Sequence, residues 1–324
     1  MTPRTWRLPT ILLVALLTLV ACEPVPSAGS ASAGADQLEL TEITVGTLPI
    51  GDVAAVHLAI QHGLFEAEGL TVTPEVTQGG AAAIPALQGG DLDIAYGAWP
   101  SFLIANQQGI ELRAVADGVA ATPGFMEFLA MPGTALERDP SALAGTTVAL
   151  NTLGNLGELA LRATLADAGL DYAQVTAVEI PFPEMGAALE GGSVDVIWTV
   201  EPGVTGSKAD IGAVTVIDSF VDEMAGFPVA GYFATAEFAE QHPNTVAAFV
   251  RAIEAASQML NDDPDLVVEI VQTYTEVPVD LLVTAAFPEY RGALEVARLE
   301  RVYDYLLEFG MIEEGLDLEP LVLD

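Results

Sequence analysis

A stretch that occurs twice sets the architecture of this chain. Pro85 to Pro100 reads Pro-Ala-Leu-Gln-Gly-Gly-Asp-Leu-Asp-Ile-Ala-Tyr-Gly-Ala-Trp-Pro. Ala187 to Pro202 reads Ala-Ala-Leu-Glu-Gly-Gly-Ser-Val-Asp-Val-Ile-Trp-Thr-Val-Glu-Pro, an offset of 102 that aligns the Leu, the Gly-Gly pair, the second Asp and the final Pro. Each copy has the form of a helix end, a turn in which glycine can turn left-handed without a Cβ penalty, a short apolar strand, and a Pro that opens the next helix. The match extends upstream. Ile43 to Gly51 and Thr146 to Gly154 are strands running into Gly-containing loops. Both lead into helices that end at Gly-Leu pairs, Gly69-Leu70 and Gly169-Leu170, and then into strands at Thr71 to Val76 and Val175 to Ile180. Strands alternating with helical stretches of this length imply βαβ units and parallel sheets. The expectation is an α/β chain of two similar lobes rather than one large sheet, and 324 residues, 51% hydrophobic, suffice for two cores.

Three further strands are expected in order: Glu111 to Ala116 and Phe125 to Met131 in the first lobe, and Ala213 to Ile217 in the second. Gly226 to Ala234 should return extended to the first lobe. From Glu237 the pattern is almost wholly helical, punctuated by Pro and Gly, and such a tail most simply packs back on the first lobe. The expected organisation is a first lobe at 41–130 and 230–324 and a second lobe at 131–229, with crossings near Phe128 to Met131 and Phe227 to Gly231.

Residues 1–21 belong to neither lobe. Arg4 and Arg7 precede a nearly continuous apolar run, Leu8 to Val20, too short for a comfortable membrane span. Leu19-Val20-Ala21-Cys22 closes it, and the segment resembles a bacterial lipoprotein signal, whose final cysteine is lipidated and becomes the new N-terminus. Cys22 is the only cysteine, so a processed chain has no thiol or disulfide chemistry. Residues 22–40, rich in Ser, Ala, Gly and Pro up to Gln37, read as a flexible tether. After the leader, 8 of the ten bases remain against 46 acids, a net charge of −38, with Lys208 the sole lysine. That field repels nucleic acid and anionic lipid, which excludes them as partners.

The chain resembles type II periplasmic binding proteins, the receptors of ABC importers, and in particular the branch for nitrate, taurine, aliphatic sulfonates and thiamine-pyrimidine precursors. The residues that carry the resemblance are His62-Gly63-Leu64-Phe65-Glu66-Ala67-Glu68-Gly69-Leu70, Ala86 to Asp93, the Leu143-Ala144-Gly145 step, and Pro243 to Val250. It covers Ile43 to about Ile312. It implies a two-lobe fold with a ligand cleft between the lobes and a helical C-terminal segment. It also implies a monomeric receptor, without cofactor, tethered outside the cell membrane through Cys22 and serving an ABC permease.

The cleft can be located on physical grounds as well. Ligands of open parallel sheets bind beyond the carboxyl ends of the strands, where helix N-termini point N–H groups outward. The loops in that position are Leu48 to Asp52, Gln78 to Ala81, Gly97 to Phe102, Asn151 to Asn155, Phe182 to Glu184 and Thr199 to Pro202, and they contain no lysine or arginine. The candidate ligand-binding set is Pro49, Gln78, Gly79, Trp99, Asn151, Thr152, Phe182, Glu184, Trp198 and Glu201. Trp99 and Glu201 are equivalent in the repeat and are expected to face the ligand from opposite walls. Aromatic residues and acids without a base favour a flat neutral or cationic solute, pyrimidine-like for choice. A sulfonate, taurine or nitrate is the alternative, since helix N-termini alone can hold an anion. An enzyme is the reading from another class, because an intracellular relative of this fold makes the thiamine pyrimidine. It carries a cysteine-rich motif that this chain lacks, and His57, His62 and His242 stand at no metal or triad spacing. A sensor for a membrane partner other than a pore is a further reading.

Overall fold

The computed structural model describes residues 37–221 and 224–323, so the leader, Cys22 and most of the tether lie outside the described residues. The order is β1 (Glu42–Thr47), α1 (Ala54–Gln61), α2 (Leu64–Ala67), β2 (Thr71–Val76), α3 (Gly80–Gly89), β3 (Ile94–Ala98), α4 (Trp99–Gln107), β4 (Leu112–Ala120) and β5 (Met126–Ala130). There follow β6 (Thr147–Leu150), α5 (Leu156–Asp167), β7 (Thr176–Glu179), α6 (Phe182–Glu190), β8 (Val196–Val200), α7 (Gly203–Ile211) and β9 (Val214–Asp218). The chain ends through β10 (Pro228–Thr235), α8 (Ala236–Gln241), α9 (Pro243–Asp262), α10 (Pro264–Val271), α11 (Val279–Leu282), β11 (Glu289–Tyr290) and α12 (Val296–Glu308).

Two sheets form, in the orders β11-β4-β10-β3-β1-β2 and β7-β6-β8-β5-β9. Within each, the repeated strands run parallel: β2, β1 and β3 in the first, β7, β6 and β8 in the second. The fourth place in each sheet is taken by an antiparallel strand that arrives from the other lobe, β10 in the first and β5 in the second. This moves one expected boundary. β5 pairs with β8 and β9, so the chain changes sheet before it, between Ala120 and Met126, and not after Met131. The return crossing lies between Asp218 and Pro228. The two crossings bond to each other, Ala121 N–H to the Phe227 carbonyl and Gly226 N–H to the Ala121 carbonyl, both at 2.9 Å.

The duplicated motif has a structural meaning in each lobe. Gly90 and Gly192 occupy the left-handed region, at φ 76° and 69°, and end α3 and the turn after α6. Asp93 and Asp195 then bind back to the first strand of their own lobe: Thr44 N–H donates to Asp93 Oδ2 at 2.7 Å, and Thr147 N–H to Asp195 Oδ2 at 2.8 Å. The repeated aspartates are therefore turn-to-strand ties.

Strand alternation sorts side chains between two cores. Met126, Phe128, Val196 and Trp198 join the large core that runs through both lobes, whereas Leu129 and Ile197 face a smaller one with Met185 and Leu189 of α6. Of the helical tail, α9 packs on the first lobe against α1 and α2, while α11 lies against α7 of the second. α9 buries Val246, Phe249, Ile253, Ala256 and Leu260 along one face, and Phe249 stacks on Phe65 with centroids 5.4 Å apart.

Candidate functional site

The carboxyl ends of the strands in the two sheets meet across a small cavity lined from both lobes. Its first-lobe wall includes Leu48, Ile50, Asp52, Gly79, Gly80, Tyr96 and Gly97. Its second-lobe wall includes Asn151, Thr152, Asn155, Phe182 and Trp198. None of the residues lining it is lysine, arginine or histidine.

The internal repeat organises these walls. Tyr96 and Trp198 are equivalent positions (198 minus 96 is 102), as are Gly80 and Phe182, which open α3 and α6, and Asp52 and Asn155 correspond at an offset of 103. The duplication thus turns matching loops towards one cavity, through residues other than the pair expected. Trp99 and Glu201 are also equivalent, but neither lines this cavity. Trp99 is fully buried in the first lobe, where its Nε1–H donates to Asp117 Oδ1 at 3.3 Å and its ring meets Phe102 edge-on at 5.6 Å. Gly231 of β10 leaves room for it, since a Cβ there would lie 2.1 Å from the indole. The reason is register: Trp99 opens α4, and that helix packs its first turn onto β10 rather than onto the cleft. Glu201 is buried as well and caps α7, its carboxylate accepting from Thr205 N–H at 3.0 Å and from the Thr205 hydroxyl at 2.7 Å. Burial pushes its pKa up, and the bonds from Thr205 pull the other way. Its carbonyl accepts from Gly51 N–H at 2.8 Å, so Glu201 joins the lobes through its backbone.

Five of the other expected residues line the cavity: Gly79, Asn151, Thr152, Phe182 and Trp198. Gln78 works beside it as a clasp. Its Nε2 donates to the Asn151 carbonyl at 3.0 Å, and Asn151 Nδ2 donates back to the Gln78 carbonyl at 3.1 Å. Ser101 Oγ adds a third bond across the cleft, to the Gly154 carbonyl at 3.0 Å. Pro49 lies in a wider groove at the mouth, shared with α6, α7 and α11, and Glu184 is exposed on α6.

Asp52, Tyr96 and Asn155 line the cavity although they stood outside the expected set. Asp52 and Asn155 sit in strand-end loops and Tyr96 in the strand just before one. The signal that could have selected them is the repeat register itself, applied to every loop rather than only to the residue before Pro. Asp52 is 3% exposed, and the Tyr96 hydroxyl donates to its Oδ2 at 3.2 Å. Burial raises its pKa to about 7, against the smaller opposing effects of its own backbone N–H and Tyr96. Its Oδ1 has no hydrogen-bond partner, and the same holds for Thr152 Oγ1 and Trp198 Nε1. The cavity thus offers one acceptor on the first-lobe wall and, on the other, an indole donor and a hydroxyl that can do either. Phe182 stands 6.2 Å from Trp198, and Gly157 of α5 makes space for that indole, a Cβ there falling 2.5 Å from it.

Comparison with known proteins gives the family and the fold. The chain is 24% identical over 270 residues to a formylaminopyrimidine-binding protein of Halalkalibacterium halodurans, covering 81% of this chain and 77% of the relative. It is 27% identical over 232 residues to the taurine-binding periplasmic protein of Escherichia coli K12, covering 71% and 70%. Its fold matches that of the alkanesulfonate-binding protein of Xanthomonas axonopodis pv. citri bound to MOPS, with a TM-score of 0.76 and 19% identity over 89% of this chain and 99% of the other. The two-lobe α/β architecture is that of periplasmic binding proteins. With the family model matching residues 36–274, the chain belongs to the NMT1-like family.

Proposed function

We propose that this chain is the solute-binding component of an ABC importer, capturing a small flat organic solute between its lobes and delivering it to a membrane permease. The observation that carries the reading is the cavity: aromatic walls from Trp198, Phe182 and Tyr96, unpartnered polar atoms from both lobes, and no base. A pyrimidine-like solute fits that chemistry, and the relative from Halalkalibacterium halodurans supports it. A taurine cargo is supported by the relative from Escherichia coli, and a sulfonate or nitrate is the alternative of the same anionic kind, yet each would leave the anion without a lysine or arginine in the cavity. We read the chain as a binder, not an enzyme, acting as a monomer.

A thermal-shift panel of pyrimidines, alkanesulfonates, taurine and nitrate tests the cargo. A ligand at one hundred times its Kd adds about 2.7 kcal/mol to the folded state. A pyrimidine should raise Tm. A shift with sulfonate or nitrate alone would put the anion reading in its place.

The same reading puts the protein outside the cytoplasmic membrane, anchored through lipid on Cys22 after removal of residues 1–21. Among the described residues no helix is long and apolar enough to cross a membrane. Cys22→Ser should release the chain or leave the leader uncut. An unmodified thiol on mature, membrane-bound protein, read by mass spectrometry, would count against the anchor.

A further inference from the structure

Five carboxylates are buried among the described residues: Asp52, Asp117, Glu127, Glu158 and Glu201. Three of them are matched by a base, Asp117 by Arg298, Glu127 by Lys208 at 2.7 Å and Glu158 by Arg162 at 2.7 Å. Glu201 is held by Thr205. Asp52 has a single side-chain partner, the Tyr96 hydroxyl on one oxygen, and nothing on the other. The groups around it are hydroxyls: Tyr96 from β3, Tyr232 from β10, Tyr290 from β11, and Tyr274 just after α10. The nearby His57 of α1 stacks on Tyr274 with centroids 3.9 Å apart, and burial drives its pKa down to about 4, so it is neutral at pH 7 and offers no positive charge. A chain so short of bases commits three of them to buried carboxylates and none to this one. A buried carboxylate oxygen left without a partner is costly, and Asp52 is one of the residues lining the cavity.

We infer that the cargo supplies the missing partner: Asp52 accepts an N–H from an amino group or cationic ring, gives up its proton to solvent as that solute binds, and turns anions away. The inference rests on the cargo reading above and narrows it to solutes with an N–H donor. On the facing wall Trp198 Nε1–H and Thr152 Oγ1 remain to meet a ring acceptor. A donor on one edge of a flat ring and an acceptor on the opposite edge are what 4-aminopyrimidine presents, in its amino group and the ring nitrogen across from it. The raised pKa of Asp52 agrees, because near pH 7 part of the unliganded population still carries the proton that the N–H donor displaces.

Titration calorimetry of the full chain with 4-aminopyrimidine, pyrimidin-4-one, taurine and nitrate decides it, run at pH 7 in two buffers of different ionisation enthalpy. The amino compound should bind with net proton release. Asp52→Asn should weaken it roughly tenfold or more, abolish the release, and shift preference towards pyrimidin-4-one. If Trp198→Ala weakens 4-aminopyrimidine while Asp52→Asn does not, the role of Asp52 is overturned and the cargo reading stands. If the variant does not fold, the wild type decides by selectivity: pyrimidin-4-one binding as tightly as 4-aminopyrimidine overturns the role of Asp52. If nitrate or taurine binds and neither pyrimidine does, the cargo reading falls and this inference with it.

Discussion

Trp99 and Trp198 are both nearly without exposure, but they do different work. Trp99 is enclosed by its own lobe, so Trp99→Ala should cost about 3–5 kcal/mol of stability and leave the affinity of the folded fraction unchanged. Trp198 lines the cavity, and Trp198→Ala should weaken a flat ligand by about 1–3 kcal/mol, by analogy with base stacking on aromatics. Denaturant melts paired with titration calorimetry separate the two; equal affinity losses would contradict the assignment. Asp52 adds a dependence on pH. Unfolded, it ionises around its ordinary 3.8; folded and unliganded, it holds its proton to about 7. Over that window the unfolded chain binds fewer protons, so this group makes the fold less stable as pH rises from about 4 to 7. His57 acts in the opposite sense. Its folded value of about 4 lies below its ordinary 6.5, so its contribution is lost as pH falls through that range. The difference between wild type and Asp52→Asn isolates the aspartate: the variant should gain on the wild type between pH 4.5 and 7.5 in urea midpoints. A gap that stays constant with pH would rule this out.

Among the elements, α3 and β3 meet more closely than side chains allow, and this shapes the cavity. A Cβ at Gly97 would lie 2.4 Å from Gly80 Cα, backbone against backbone. Gly79 and Gly80 open α3 and form part of the cavity wall, while Gly97 follows Tyr96 on the strand. Gly97→Ala should therefore push the start of α3 outward, which disturbs the wall and the clasp that Gln78 makes with Asn151. We expect a loss of affinity on the order of tenfold, as a misplacement of about 1 Å in a binding site can cost that much or more. Gly90→Ala, at a left-handed turn remote from the cavity with open space around it, should cost about 1–2 kcal/mol of stability and leave binding alone. Calorimetry on both variants checks the contrast; retained affinity in Gly97→Ala would show that the close approach has no bearing on the site.

At the scale of the whole molecule, two crossings bonded to each other join two sheets whose facing loops already touch through Gln78, Asn151, Ser101, Gly51 and Glu201. A pair of strands that exchange lobes is a natural hinge. Ligand held by both walls should favour the closed arrangement, so small-angle scattering should give a smaller radius of gyration with saturating cargo than without it. An unchanged radius would remove the hinge from the account.

Much of this was legible along the chain, because it is local. The Gly-Gly turns, the Gly-Leu helix ends and the alternation of strand and helix are written in backbone preferences and periodicity, and a duplication prints them twice. That determined two lobes, parallel strands, and the loops that meet at the cleft. What the sequence did not determine is where each side chain in those loops goes. Trp99 follows the short apolar strand β3 and Trp198 lies within β8, and only tertiary packing decides that α4 encloses the first against β10 while the second reaches the cavity wall. The lobe to which β5 belongs was decided in the same way, by hydrogen bonds to β8 and β9, partners from 66 to 91 residues further on in the two pairings. Asp52 depends on the tertiary structure most of all. A carboxylate beside a glycine reads as a solvated loop residue until four tyrosines from distant segments close around it and no base arrives. Burial and the absence of a counter-charge are sums over neighbours, and those neighbours are chosen by the fold.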